Sequence, residues 1–134
     1  MLFLSVVLYL LASLGVMAMG VKYIRAILPL DYHAEITKGT ELSPETLRVF
    51  GALYKVMGGA ILALGFVMVM LTLFGVWNDL IWAKLTLFIG TLIAGAFTTL
   101  VPRQVESETG VRTPWRIAAG LCGIATVAFL ISLI

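Results

Sequence analysis

The side chains best suited to chemistry sit together in one polar stretch, "LPLDYHAEITKGTELSPETLR", residues 28–48. It holds the chain's one histidine, His33, and four of its seven acidic residues. His33 can take or give a proton near neutral pH. Glu35 and Glu41 supply carboxylates nearby, and Arg48 closes the stretch. Together they would suit acid–base work on a lipid headgroup. A catalytic site, however, needs a nucleophile, an oriented base and an electrostatic stabiliser in defined geometry. His33 beside a glutamate also falls short of the ligand set of a zinc site. The bland alternative is that these residues serve solvation and orientation in a loop. Cys122 is the single cysteine, which excludes an intramolecular disulfide and any multi-cysteine metal or redox centre. Its surroundings, "AAGLCGIATVAFL", read as packing.

The elements that must position these residues are apolar. The 134 residues are 61% hydrophobic and 12% charged, with mean hydropathy +1.09, whereas soluble domains run nearer a quarter charged. Crossing ~30 Å of hydrocarbon takes about 20 helical residues. Residues 1–21, 56–78, 85–102 and 117–134 carry no charge. The third run extends back to 80 if Lys84 snorkels, and the fourth to 115 if Arg116 does. Backbone in lipid must satisfy its own hydrogen bonds, so each run is a helix or a barrel strand. "GGAILALGFVMVMLTLFG" lacks the alternation of a barrel strand. The expected fold is all-α: an integral membrane four-helix bundle made of two antiparallel hairpins. It forms a single domain over 1–134, with helices over 2–28, 44–76, 79–101 and 114–134.

Local signals set the expected boundaries. Pro29 and Pro102 should stop the first and third helices. Ser43 should cap the second, with Pro44 in its first turn and Glu45 complementing the dipole. Thr113 and Pro114 should open the fourth in the same way, and Asn78 or Asp79 should cap the third. The shared order of proline stop, polar loop and Ser/Thr-Pro start fits an internal duplication, or ordinary helix punctuation. "DYHAEITKG" should form a short interfacial helix capped by Asp31 and ended by Gly39, with Tyr32 and Ile36 on one face. The first run has no basic n-region and is too long for a signal peptide. Lys22 and Arg25 follow it, as they do in an anchor whose N-terminus is exported.

Of nine Lys and Arg residues, Lys22, Arg25, Lys38, Arg48 and Lys55 flank the first loop and Arg103, Arg112 and Arg116 the third; Lys84 alone is near the second. The positive-inside rule then makes loops 29–43 and 102–113 cytoplasmic and both termini periplasmic, in a bacterial inner membrane. Trp77 and Trp82 mark the outer interface, and Tyr23, Tyr32, Tyr54 and Trp115 the inner one. Lys22, Arg25, Lys55, Arg103 and Arg116 are expected at headgroup level, where they would bind anionic lipid. For Lys55 the competing reading is a buried pair with Glu41 or Glu45. Lys84 is expected to snorkel at the outer surface.

Small residues let helices approach closely in lipid. Gly51, Gly58 and Gly65 recur every seven residues, and Gly59 pairs with Ala63. Gly90, Ala94 and Thr98 share one face of the third helix; Thr91, Gly95 and Thr99 share another. Ala119 pairs with Gly123 and Ala118 with Cys122. These faces either close the bundle or meet another subunit.

The membrane core carries no carboxylate, histidine or arginine, which argues against a proton-coupled transporter. A net charge of +2 is too small for a nucleic-acid partner. No phosphate-binding or cofactor motif is present; "MGGAILALG" lies within a helix, where its glycines serve packing.

Together "YHAE" (32–35), "ELSPETL" (41–47), "YKVMGG" (54–59) and "TGVRTPW" (109–115) resemble an uncharacterised group of small bacterial four-helix inner-membrane proteins. The likeness runs from Pro29 onward. Leu30 and Asp31, between Pro29 and the Tyr-His pair, depart from the group's pattern. It implies the same four-helix fold and a shared site, if any, at the inner surface, but no activity. The function expected is that of a non-enzymatic accessory or structural subunit, acting through helix contacts with itself or a larger membrane complex. The alternatives are a small oligomeric channel or transporter, for which Thr86, Thr91, Thr98 and Thr99 are the candidate polar stripe, and a lipid-acting enzyme using His33, Glu35, Glu41 and Arg48.

Overall fold

The computed structural model describes residues 1–29 and 31–134, and the side chain of Asp31 lies outside the description, as does its expected capping role. Five helices follow in order: α1 (Leu2–Ile24), α2 (Asp31–Ile36), α3 (Pro44–Leu71), α4 (Ile81–Thr109) and α5 (Trp115–Ser132). A π-helical turn, Thr72–Val76, extends α3. No strand occurs among the described residues. Four of the helices, counting α3 with its π turn, are long and apolar enough to cross a membrane. The chain is an all-α, multi-pass membrane protein.

α1 and α5 pack together at the centre; α3 lies along α1, and α4 along α5. α3 and α4 are joined by the tight turn at 77–80, yet beyond it they hardly touch. The four helices therefore form an open arc. Its core gathers Val6, Tyr9 and Ala12 of α1, Met68 and Val76 of α3 and its π turn, Leu87 of α4, and Ala125 and Ala128 of α5. The buried serine and threonine hydroxyls Ser5, Ser13 and Thr72 return to backbone, as a dry interior favours, while the Tyr9 hydroxyl in the core has no partner among the described residues. Ser13 donates to Tyr9 O at 2.6 Å, Thr72 to Met68 O at 2.7 Å, and Ser5 to Ala128 O at 2.8 Å, which ties α1 to α5.

Two of the heptad glycines, Gly58 and Gly65, face α1. A Cβ on Gly58 would lie 2.8 Å from Gly20 O and from Ile24 N, and one on Gly65 would lie 2.9 Å from Met17 N. Gly51 makes room for Leu28. That contact accounts for the first departure from expectation. α1 ends at Ile24 rather than at 28, and the released segment brings Leu28 back over α3. Gly95 meets Cys122, with a would-be Cβ 2.7 Å from its Sγ. A Cβ on Gly59, Gly90 or Gly123 would meet nothing within 4 Å. The pattern thus mixes bundle contacts with open faces.

Other boundaries follow local bonding. Ser43 caps α3 as expected, its hydroxyl accepting from Thr46 N–H at 3.2 Å, with Pro44 in the first turn. α2 gives way after Ile36 to a turn ending at Gly39, where φ is +89°. Pro102 does not stop α4. The helix runs on to Thr109 and ends on Gly110, whose φ of +71° suits a residue without a Cβ. Pro102 forfeits one helical hydrogen bond, but Thr113 Oγ1 donates to its carbonyl at 2.8 Å and helps hold the extension. At roughly 1.5 Å per residue, α4's 29 residues outrun the hydrocarbon, so its last turns project at the basic end.

Thr113 makes no cap, and neither do Asn78 and Asp79. α5 starts from Pro114 and α4 from Leu80, each without a side-chain cap bond. Asn78 Nδ2 donates instead to Phe74 O at 3.0 Å. Asp79 adopts φ +59°, and its carboxylate turns to Lys84. The two hairpins therefore do not share one capping plan. Lys84 does not snorkel: it is buried, donating to Asp79 Oδ1 at 2.6 Å and to Ser132 O at 2.5 Å. Two acceptors converge there, so the ammonium gains more by bridging the ends of α4 and α5 than by reaching water.

Candidate functional site

The basic end of the arc is built from α2, the segment 110–114 and the adjoining ends of α1, α3, α4 and α5. α2 is anchored by aromatic packing. The Tyr54 hydroxyl and His33 Nδ1 are hydrogen-bonded to each other. The two rings stack with centroids 5.4 Å apart, and Tyr23 meets Tyr54 edge-on at 5.9 Å. Tyr32 hydrogen-bonds Tyr23. Burial holds the His33 pKa below its usual value. Burial, then the neighbouring Tyr23 and Tyr54, pushes Tyr32 above its usual range. Both groups are therefore neutral at physiological pH, as a seated anchor requires.

Segment 110–114 is organised by Glu106, a residue the sequence reading passed over. Its carboxylate takes a two-pronged contact from Arg116, at 2.7 and 3.1 Å, and accepts the Thr113 N–H at 2.9 Å. The available signal was its position as a carboxylate among Arg103, Arg112 and Arg116. Trp115 stacks under Arg116 at 4.6 Å and under Arg103 at 5.6 Å.

A cavity of about 460 Å³ opens between α1, α2 and this segment. Lys22, Tyr23, Tyr32, Glu35 and Arg112 give it polar walls; Met19, Val111 and Ile117 give it apolar ones. A second, smaller space of about 100 Å³ lies deeper in the arc between α3 and α4, lined by residues such as Leu64, Met68, Thr91, Gly95 and Leu121. Met19 lines both spaces.

The four candidate catalytic residues do not come together. His33 bonds Tyr54 on α3. Glu35 lines the larger cavity and pairs with Lys38 at 3.4 Å in an exposed contact. Glu41 and Arg48 are exposed and take no part in either arrangement. Among the described residues, no group of three or more His, Cys, Asp or Glu side chains could hold a metal ion. Lys55 is exposed, with no ion pair to Glu41 or Glu45 among the described residues. Arg25 is exposed beyond the end of α1. Trp77 and Trp82 are exposed at the opposite end of the arc, Trp77 edge-on to Phe3 at 6.5 Å.

The threonines of α4 turn inward on their own helix. Thr86, Thr91 and Thr98 donate to Trp82 O, Leu87 O and Ala94 O at 2.6–2.8 Å. With these hydroxyls spent locally, they offer no continuous polar lining. Ala94 lines the inner space beside Gly95, Ala118 is buried against it, and Ala119 is half-buried.

No family model, curated protein or solved structure matches the chain.

Proposed function

We propose that this chain is a non-enzymatic accessory or structural subunit of a bacterial inner membrane, working through lateral helix contacts with copies of itself or with a larger membrane complex. One observation carries the reading: α4 has only one close neighbour along most of its length. It follows α5 and leaves α3 just beyond the turn. Only 6% of its most apolar stretch is buried, against 28% for each of the other three spans. At Gly90 a side chain would meet nothing within 4 Å, so a second helix can approach the α4 backbone there. The dispersal of His33, Glu41 and Arg48 away from the cavity favours this reading over a lipid-acting enzyme, and the self-bonded threonines favour it over a channel. The basic end, which carries α2 and the last turns of α4, faces the cytoplasm, and both termini face the periplasm.

The test is particle mass after extraction in mild detergent, with Gly90→Leu as the probe. The expected result is a discrete assembly that the variant weakens while each chain stays helical. A lone chain of 14.5 kDa, wild type and variant alike, would overturn the proposal.

A further inference from the structure

We infer that the cavity between α1, α2 and residues 111–117 holds the phosphodiester group of a glycerophospholipid from the leaflet at the basic end. Its volume, about 460 Å³, lies within the range of small-molecule sites. Cations reach it from two separate elements: Lys22 from the last turn of α1, and Arg112 from the segment between α4 and α5. Among the described residues Arg112 forms no ion pair, so its planar fork is available for two phosphate oxygens. Tyr23 and Tyr32 present hydroxyl-bearing rings to the same space. Among the described lining residues, Lys22 and Arg112 outnumber the carboxylate of Glu35, the balance a phosphodiester needs.

The remaining walls select an amphiphile over a free anion. Met19, Val111 and Ile117 are apolar, and Ile117 is largely exposed. Met19 also lines the inner space, where Leu64, Met68 and Leu121 offer a hydrocarbon surface. A headgroup at Lys22 and Arg112 thus sits next to a place for its own acyl chain. Lys22 lies in the last turn of the α1 span and residues 111–114 directly precede the α5 span, which puts the cavity at headgroup depth. Glu35 adds a preference. Its carboxylate can accept from the ammonium of ethanolamine or the hydroxyls of glycerol, while choline has no N–H or O–H to give.

Native mass spectrometry of the whole protein in detergent, titrated with phosphatidylglycerol, phosphatidylethanolamine or phosphatidylcholine, tests this. The expected result is one tightly held lipid per chain, with the first two binding at least threefold better than the third. Lys22→Gln combined with Arg112→Gln should weaken binding about tenfold, whereas Lys55→Gln, off the cavity at the same end, should change it less than twofold. If the double variant melts below wild type, Arg112→Gln alone carries the test, with a loss of about threefold. Equal losses at Lys55 and at the cavity would reduce the effect to general surface charge and overturn the inference. Failure to retain any lipid, or full displacement by equimolar inorganic phosphate, would overturn it as well.

Discussion

Gly58 and Gly59 are adjacent in sequence and opposite in situation, which makes them a controlled pair. A Cβ on Gly58 would lie 2.8 Å from Gly20 O, Ile24 N and Ile24 Cγ1. Two of those atoms are backbone and cannot rotate away. Ordinary contact begins near 3.4 Å, so α1 and α3 must separate by about 0.6 Å to admit a methyl group. Overpacking of this kind costs about 1–3 kcal/mol. A Cβ on Gly59 would meet nothing within 4 Å. Alanine is the better helix former by up to ~1 kcal/mol, and that gain accrues equally at both positions. In the difference between Gly58→Ala and Gly59→Ala it cancels. The expected gap is therefore the overpacking cost alone, about 1–3 kcal/mol, with Gly58→Ala the less stable. Equilibrium unfolding in mixed micelles, followed by far-ultraviolet circular dichroism, measures it. Gly20→Ala should behave like Gly58→Ala, because its Cβ would lie 2.6 Å from Leu62 N. If the Gly58 and Gly59 variants unfold together, or in reverse order, then α1 and α3 do not meet backbone to backbone and the central packing argument is wrong.

Lys84→Met removes a buried ammonium and its bonds to Asp79 and Ser132 O, and should cost about 1.5–3 kcal/mol in the same assay. Asp79→Asn should cost less than Lys84→Met, because the Asp79 side chain is 71% exposed and water can replace much of what it gives. The docking of α2 should depend on pH with a definite sign. His33 is neutral when seated, with its pKa below the unfolded value of about 6.5. The anchoring is complete above that unfolded value and is lost as pH falls through the lower, folded one. The protection factors of the α2 amides, taken against the intrinsic exchange rate at each pH, should fall on acidification, and in His33→Ala they should be low at every pH; protection independent of pH in the wild type would refute the anchor.

Much of the architecture was legible because hydrocarbon leaves a chain few choices. Runs such as 56–78, free of charge and without alternation, had to become helices, and Ser43-Pro44-Glu45 marked a helix start by purely local chemistry. The features that local sequence does not announce depend on contacts distant in sequence. Pro102 was expected to end α4, but Thr113 and the Glu106–Arg116 pair hold the helix beyond it. Lys84 was expected at the surface, but Ser132 O lies 48 positions away and nothing local announces it. Thr113 has the right neighbours for a cap and spends its hydroxyl on Pro102 O instead. At the basic end, the individual residues were visible and their grouping was not. Lys22, Glu35 and Arg112 line one cavity only because α2 folds back over the ends of α1 and α3, which follows from the Tyr32–Tyr23 and His33–Tyr54 contacts rather than from spacing.

The open arc also bears on how the protein is made. Synthesis runs from the N-terminus at roughly 5–20 residues per second. The tight glycine seam between α1 and α3 joins helices that both leave the ribosome early. α4 emerges next, and the helix it rests on, α5, does not yet exist. For that interval Gly95 and the face around it are bare to lipid or to whatever insertion machinery attends the nascent chain. The last helix then has two tasks on arrival: it must slot beside α1, through Ser5 and Ala128, and give α4 its neighbour. Damage to α5 should therefore strand α4 during biogenesis while leaving the early pair intact.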